Sequence, residues 1–134
     1  MKKKRDNPEQ RLQVAAIRWL RGALPFTFAF HVPNGGSRHP AEAAKLKAMG
    51  VTAGVPDIII FWAGGVGVIE LKASTGSMTK HQLNTIELLN SLGVRTAVCR
   101  GLNEVETAVR EWGLKPYYSV NKLEDLALGY GGRK

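Results

Sequence analysis

Asp57, Glu70 and Lys72 are residues whose types and spacing could do chemistry, and they interrupt two runs that otherwise read as buried strand, DIIIFW from 57 and VGVIELK to 72. Side chains alternate faces along a strand, so Glu70 and Lys72 point the same way while Leu71 points oppositely. Ala63-Gly64-Gly65 between the runs is a hairpin signal. A tight turn centred on Gly64-Gly65 sets Asp57 opposite Lys72, and one centred on Ala63-Gly64 sets it opposite Glu70. Either even-length turn gathers all three side chains, whereas an odd loop without a bulge separates Asp57 from the others. Two converging carboxylates repel unless a cation or proton lies between them. Hard oxygen donors select Mg²⁺ or Mn²⁺, which accept one or two carboxylates, waters and a substrate phosphate. Lys72 beside such an ion would orient or deprotonate a water, or stabilise the extra charge of a five-coordinate phosphorus, which is the chemistry of phosphodiester hydrolysis. The competing reading is a salt bridge of Lys72 with Asp57 or Glu70 on a sheet rim, since D…ExK patterns are common.

The elements that must position these residues follow from periodicity and caps. Asn7-Pro8-Glu9-Gln10 reads as a helix start, with Asn7 as cap and Gln10 completing a capping box. The helix runs to about Gly22 with Leu12, Ala16, Trp19 and Leu20 as its apolar stripe, and Glu9 falls on that stripe one turn earlier. FTFAFHV, 26 to 32, alternates as a strand with Phe26, Phe28, Phe30 and Val32 on one side. Pro40 to Met49 reads as a short, solvated helix that leaves Lys45 and Lys47 available. Both faces of the 57–72 hairpin are apolar, which predicts helices on both sides of the sheet. Ser77 to Ser91 reads as a helix with Ile86, Leu89 and Leu92 inward, VRTAVCR as a strand, and Asn103 and Glu106 as caps of a last helix through Trp112. The stretch from 113 shows no clear period and reads as a surface tail. The whole is one domain of 134 residues, with a core at about 7–112 and a basic arm at 1–6.

Nineteen Lys and Arg against eleven Asp and Glu give a formal charge of +8, which favours a polyanionic partner, nucleic acid first. Cys99 is the one cysteine, so disulfides within the chain and thiolate zinc sites are excluded, and a buried thiol in a reducing, cytoplasmic setting is expected. No stretch approaches the length of a membrane span. His39, beside Arg38, is placed to contact phosphate, whereas His31 and His81 read as structural or surface groups. Backbone N–H groups of Asn34, Gly35 and Gly36 could also meet a phosphate.

GVPD at 54–57, IELK at 69–72 and Gln82 together are similar to the PD-(D/E)xK nuclease signature, and PNGG at 33–36 with KLKAMGVTAGVPD at 45–57 narrows it. In that order, and with Glu9, they resemble the virus-type replication-repair nuclease (VRR-NUC) domain family in its short stand-alone, phage-like form. The resemblance spans roughly 7 to 112. It implies an α/β fold with a restriction-endonuclease-like core (αβββαβ), a central mixed sheet, a divalent cation and cleavage of DNA, often branched. By residue, it implies that Asp57 and Glu70 hold the metal with the Leu71 backbone carbonyl, that Lys72 serves the attacking water, and that Glu9 is a further ligand or its neighbour. Gln82 would orient Lys72 or a phosphate, although the residue types alone allow it to be only the end of a capping box begun by Thr79. Ile86 stands where relatives often carry an aromatic residue, and the V-R-R signature survives only loosely as Val98-Cys99-Arg100.

The expectation is therefore a Mg²⁺- or Mn²⁺-dependent endodeoxyribonuclease acting on branched DNA, four-way junctions first. A two-fold-symmetric junction and a single small site argue for a homodimer. A flap or sequence-preferring nuclease or nickase, and a DNA-binding module without catalysis, are the alternatives.

Overall fold

The computed structural model describes residues 7–33 and 39–121. The elements run α1 (Pro8–Ala23), β1 (Phe28–His31), α2 (Pro40–Ala48), β2 (Ile58–Trp62), β3 (Gly65–Leu71), α3 (Lys80–Ser91), β4 (Arg95–Cys99) and α4 (Leu102–Glu111). The four strands form one mixed sheet in the order β1-β2-β3-β4, antiparallel as far as β3 and parallel between β3 and β4. The parallel step requires a crossover, and α3 supplies it. Among the described residues no helix is long and apolar enough to cross a membrane.

One sheet face carries the core. Ala29, Ile58, Ile60, Ile69, Leu71 and Cys99 are buried there against Ala16, Trp19 and Leu20 of α1 and Val105 and Val109 of α4. Asn7 caps α1 by accepting from the Gln10 backbone N–H at 3.0 Å, which is one half of the expected capping box. Burial pushes the Cys99 thiol up to about 12, with Glu104 adding to the effect, so it stays protonated and inert.

The strand at 26–32 is shorter than its pattern suggests, and its phenylalanines face away from α1. The close approach of α1 needs the small Ala29, which is buried, while Phe28 is 64% exposed. Phe30 sits between Phe28 and Phe61, with ring centroids at 5.1 and 6.3 Å. On this second face α3 reaches β4, where Asn90 donates to the Thr96 hydroxyl at 3.1 Å, and among the described residues the β1–β2 side is left open, with Phe28 and Phe61 exposed.

Several boundaries differ from the periodicity reading. α3 starts at Lys80 because Thr79, not Ser77, is its cap, and Leu92, expected inward, is 68% exposed at its C-cap. α4 begins after Gly101, without a side-chain cap. Glu106 instead accepts the Val120 N–H at 2.9 Å and pairs with Arg110 at 2.8 Å. Residues 114–120, expected within a surface tail, pack on the core. Leu114 and Val120 are buried, Tyr117 donates its N–H to the Ala23 carbonyl, and the Trp19 indole donates to the Tyr118 carbonyl at 3.2 Å. The expected basic arm at 1–6 and the chain from 122 lie outside the described residues.

Candidate active site

Turn parity decides whether the three charged residues meet. Trp62 pairs with Gly65 and Ile58 with Ile69, so the hairpin turns through two residues, Ala63 and Gly64, and the same register continued places Asp57 opposite Glu70. Gly64 takes a φ of +88°, a conformation that glycine adopts without a Cβ penalty. The even-length alternative centred on Ala63-Gly64 is the one the chain adopts.

Asp57 is pinned from both sides. Its backbone carbonyl accepts the Val32 N–H and the His31 Nδ1–H, each at 2.8 Å, and its Oδ2 accepts the Leu71 N–H at 2.7 Å. The loop that delivers it depends on Gly54, with φ +82°, where an added Cβ would stand 2.7 Å from the His81 carbonyl carbon. A side chain there would push Asp57's loop off α3.

Glu70 and Lys72 are buried charged residues on the face that α3 covers, 3% and 8% exposed. Lys72 Nζ lies 3.9 Å from Glu70 Oε2, and the Gln82 amide donates to the same oxygen at 3.0 Å. The Glu70 carboxyl is raised to about 8, first by burial and then by repulsion from Asp57, a side-chain hydrogen bond with Asp57 and repulsion from Glu9, with Lys72 opposing the rise. At neutral pH Glu70 is therefore protonated and shares its hydrogen with Asp57.

Gln82 closes the capping box, and its side chain contacts Glu70, where the resemblance implied Lys72 or a phosphate. Its N–H donates to the Thr79 hydroxyl at 3.1 Å and its Oε1 accepts the Thr79 N–H at 2.9 Å, closing the capping box, while Nε2 is left to hold Glu70. The two roles separate by mutation. Thr79→Ala is expected to cost about 1 kcal/mol of stability as a lost cap and to leave Glu70 held. Gln82→Ala is expected to cost a similar amount and also to release Glu70, lowering cleavage by at least ten-fold beyond what Thr79→Ala does. Thermal unfolding and a cleavage assay on both variants check this.

Glu9 borders a cavity of about 280 Å³ together with Asp57, Leu71, Gln13 and His31. Among the described residues no three acidic, histidine or cysteine side chains stand close enough to cage a metal unaided. The donor set is thus an acidic pair with a third carboxylate at the rim. This fits a hard cation that keeps most of its waters and does not fit an all-protein cage.

His39, Lys45 and Lys47 are exposed on or beside α2. Lys47 borders a separate cavity of about 610 Å³ with Thr52 and His81. Asn34, Gly35, Gly36 and Arg38 lie outside the described residues. Two further residues border the cavity at Asp57, Gln13 and His31. His31, which the sequence suggests is a structural or surface group, is exposed and holds the Asp57 carbonyl, and its shared parity with Ala29 turns it to α1's side of the sheet. Arg100, in the loose Val98-Cys99-Arg100 match, donates to the carbonyls of Ala73 and Gly76 and so holds the segment that follows Lys72.

A mixed sheet with an Asp on one hairpin strand and an ExK on the next, gathered at one end under a helix that carries Gln82, defines a nuclease of the PD-(D/E)xK type. The family model of the VRR-NUC domain matches residues 7–103. The chain belongs to the VRR-NUC family, and as such is a nuclease domain that acts on DNA. A solved structure described as a VRR-NUC domain protein is 28% identical, with a TM-score of 0.64, over 81% of this chain and 89% of the other. Another, described as a VRR-NUC domain, shares the fold at 17% identity and a TM-score of 0.54, over 78% and 97%. A comparison with curated proteins finds no match.

Proposed function

We propose that the chain is a Mg²⁺- or Mn²⁺-dependent endodeoxyribonuclease that cuts branched DNA inside the cell, with the four-way junction as its preferred substrate. The carrying observation is the acidic pair, Asp57 and proton-bearing Glu70, with buried Lys72 at 3.9 Å. Carboxylates that repel one another and share a hydrogen favour a cation between them. Asp57 and Glu70, with the Leu71 carbonyl and Glu9, would hold it. When bound, the ion supplies Lewis-acid polarisation of the phosphodiester and a water acidic enough to attack. Lys72 stabilises the negative charge that develops on phosphorus and orients the water, Gln82 keeps Glu70 aimed, and the main-chain bonds to Asp57 fix its carboxylate before substrate arrives.

Homodimerisation rests on symmetry and on an apolar face. A four-way junction needs paired nicks, and each chain brings one acidic pair. Phe28, Phe30 and Phe61 lie together on the open β1–β2 side of the sheet, beside the strand that forms its edge, and two copies would cover one another there. Synthetic junction, flap and linear duplexes incubated with each metal test the reading. Junctions are expected to be cut fastest and by paired nicks. Junctions bound but uncut under every divalent metal would eliminate catalysis, equal cutting of linear duplex would eliminate the junction preference, and a monomer sedimenting on the junction would eliminate the dimer.

A further inference from the structure

The outer face of α1 takes no part in the acidic pair. Beyond Glu9 the helix carries three arginines, Arg11, Arg18 and Arg21, and no acid. Their spacing sets them on one side, opposite the stripe of Ala16, Trp19, Leu20 and Ala23 in the core. All three are exposed, and Val14 among them is 52% exposed.

Surface depressions join this face to the acidic pair. The cavity at Asp57 shares Gln13 and His31 with a second depression, of about 420 Å³, bordered by Arg18 and Arg21. That depression meets a third, of about 360 Å³, at Val14 and Arg18, and Arg11 borders the third. At the first junction the Gln13 Nε2 is buried without a hydrogen-bond acceptor among the described residues, an arrangement that costs about 1–3 kcal/mol unless something else accepts from it. A ligand bearing oxygen acceptors would remove that cost.

We infer that the outer face of α1 is a nucleic-acid surface: Arg11, Arg18 and Arg21 bind phosphates along the DNA strand that leaves the acidic pair past Gln13 and His31. The inference rests on the nuclease reading and adds a path for the substrate, on the opposite flank from Lys45 and Lys47. Arg11 to Arg21 covers ~15 Å at 1.5 Å per residue, about four nucleotide steps of 3.4 Å. Guanidinium forks suit phosphate oxygens. The Arg21 Nε donates to the Ala29 carbonyl at 3.3 Å, which anchors that side chain at the edge strand. A membrane surface would need more apolar area than Val14 supplies.

The test measures binding of a labelled junction by the full chain carrying Asp57→Asn, so that the DNA stays intact, across a salt series. Arg11→Ala, Arg18→Ala and Arg21→Ala are each expected to weaken binding roughly five-fold at about 0.15 M salt, with the slope of log K against log salt shallower by about 0.9 per lost phosphate. Arg18→Lys is expected to restore the slope, which separates charge from folding. Arg95→Ala is the control, because β4 begins at Arg95 beside Gly67, at the opposite end of the sheet from Glu70. If the parent binds DNA and the three variants keep its slope, the α1 surface is wrong while the nuclease reading stands. If the parent binds no DNA at any salt, both fall.

Discussion

Asp57→Asn and Lys72→Met are each expected to abolish cleavage, by at least about 10³-fold, while DNA binding stays at the parental level or tightens. The asparagine is the informative replacement because the Leu71 N–H, 2.7 Å from Asp57 Oδ2, still finds an acceptor in the amide oxygen. The hairpin therefore keeps its register, and what is lost is the charge. Removing that charge also relieves the repulsion that holds a proton on Glu70, so the variant keeps one ionisable carboxylate but not a pair. The expected magnitude is that of removing a group that stabilises charge in the transition state, typically 10²–10³ for one donor, enlarged because the metal loses a ligand as well. Lys72→Met keeps the volume of a buried stem and removes the cation, so packing around an 8%-exposed side chain survives. Tighter binding by Asp57→Asn follows from taking a negative charge away from a scissile phosphate. Single-turnover cleavage with either metal, beside a binding titration, decides. Either variant cutting within ten-fold of the parent would move catalysis elsewhere on the chain.

The acidic pair and Lys72 were legible because their geometry is local. Sixteen residues of hairpin, 57 to 72, and one parity set them together, and glycine at 64 selects the turn. Gln82 was legible as a position but not as a single role, since a cap and a ligand-holding amide leave the same letter; in the fold one side chain does both. His31 and Gln13 were harder because they come to border the Asp57 cavity only when α1 packs on the sheet. The phenylalanine parity of FTFAFHV suggests an inward face, but α1's close approach awards that face to Ala29 and His31. The tail was hardest. Leu114 and Val120 are isolated apolar residues without a period, and what holds them is the surface that α1 and α4 have already formed.

The largest effect on stability is expected at Glu70. The folded chain holds its proton up to about 8, whereas an ordinary glutamate releases it near 4.5. Across that window the native state binds more protons than the unfolded chain, so stability is greatest below 4.5, declines as pH rises, and has lost the whole contribution above 8. At ~1.4 kcal/mol per pH unit, the loss is on the order of a few kcal/mol, or on the order of 10 °C in Tm for a domain of this size. Glu70→Gln imitates the protonated acid: its carbonyl still accepts from Gln82, its amide still donates to Asp57, and it does not ionise. Its Tm is expected to stay nearly flat from about pH 5 to pH 9 and to exceed that of the parent at the upper end. Divalent metal inverts the order. It binds ionised carboxylates, so Mg²⁺ or Mn²⁺ is expected to raise the parent's Tm more above pH 8 than below pH 6, to leave Glu70→Gln almost unmoved, and to lose its effect when EDTA is added. Thermal unfolding of both proteins across this range, with and without metal, separates the contributions. If Glu70→Gln shares the parent's decline with pH, the proton is taken up somewhere other than Glu70, and the acidic pair does not titrate as its burial requires.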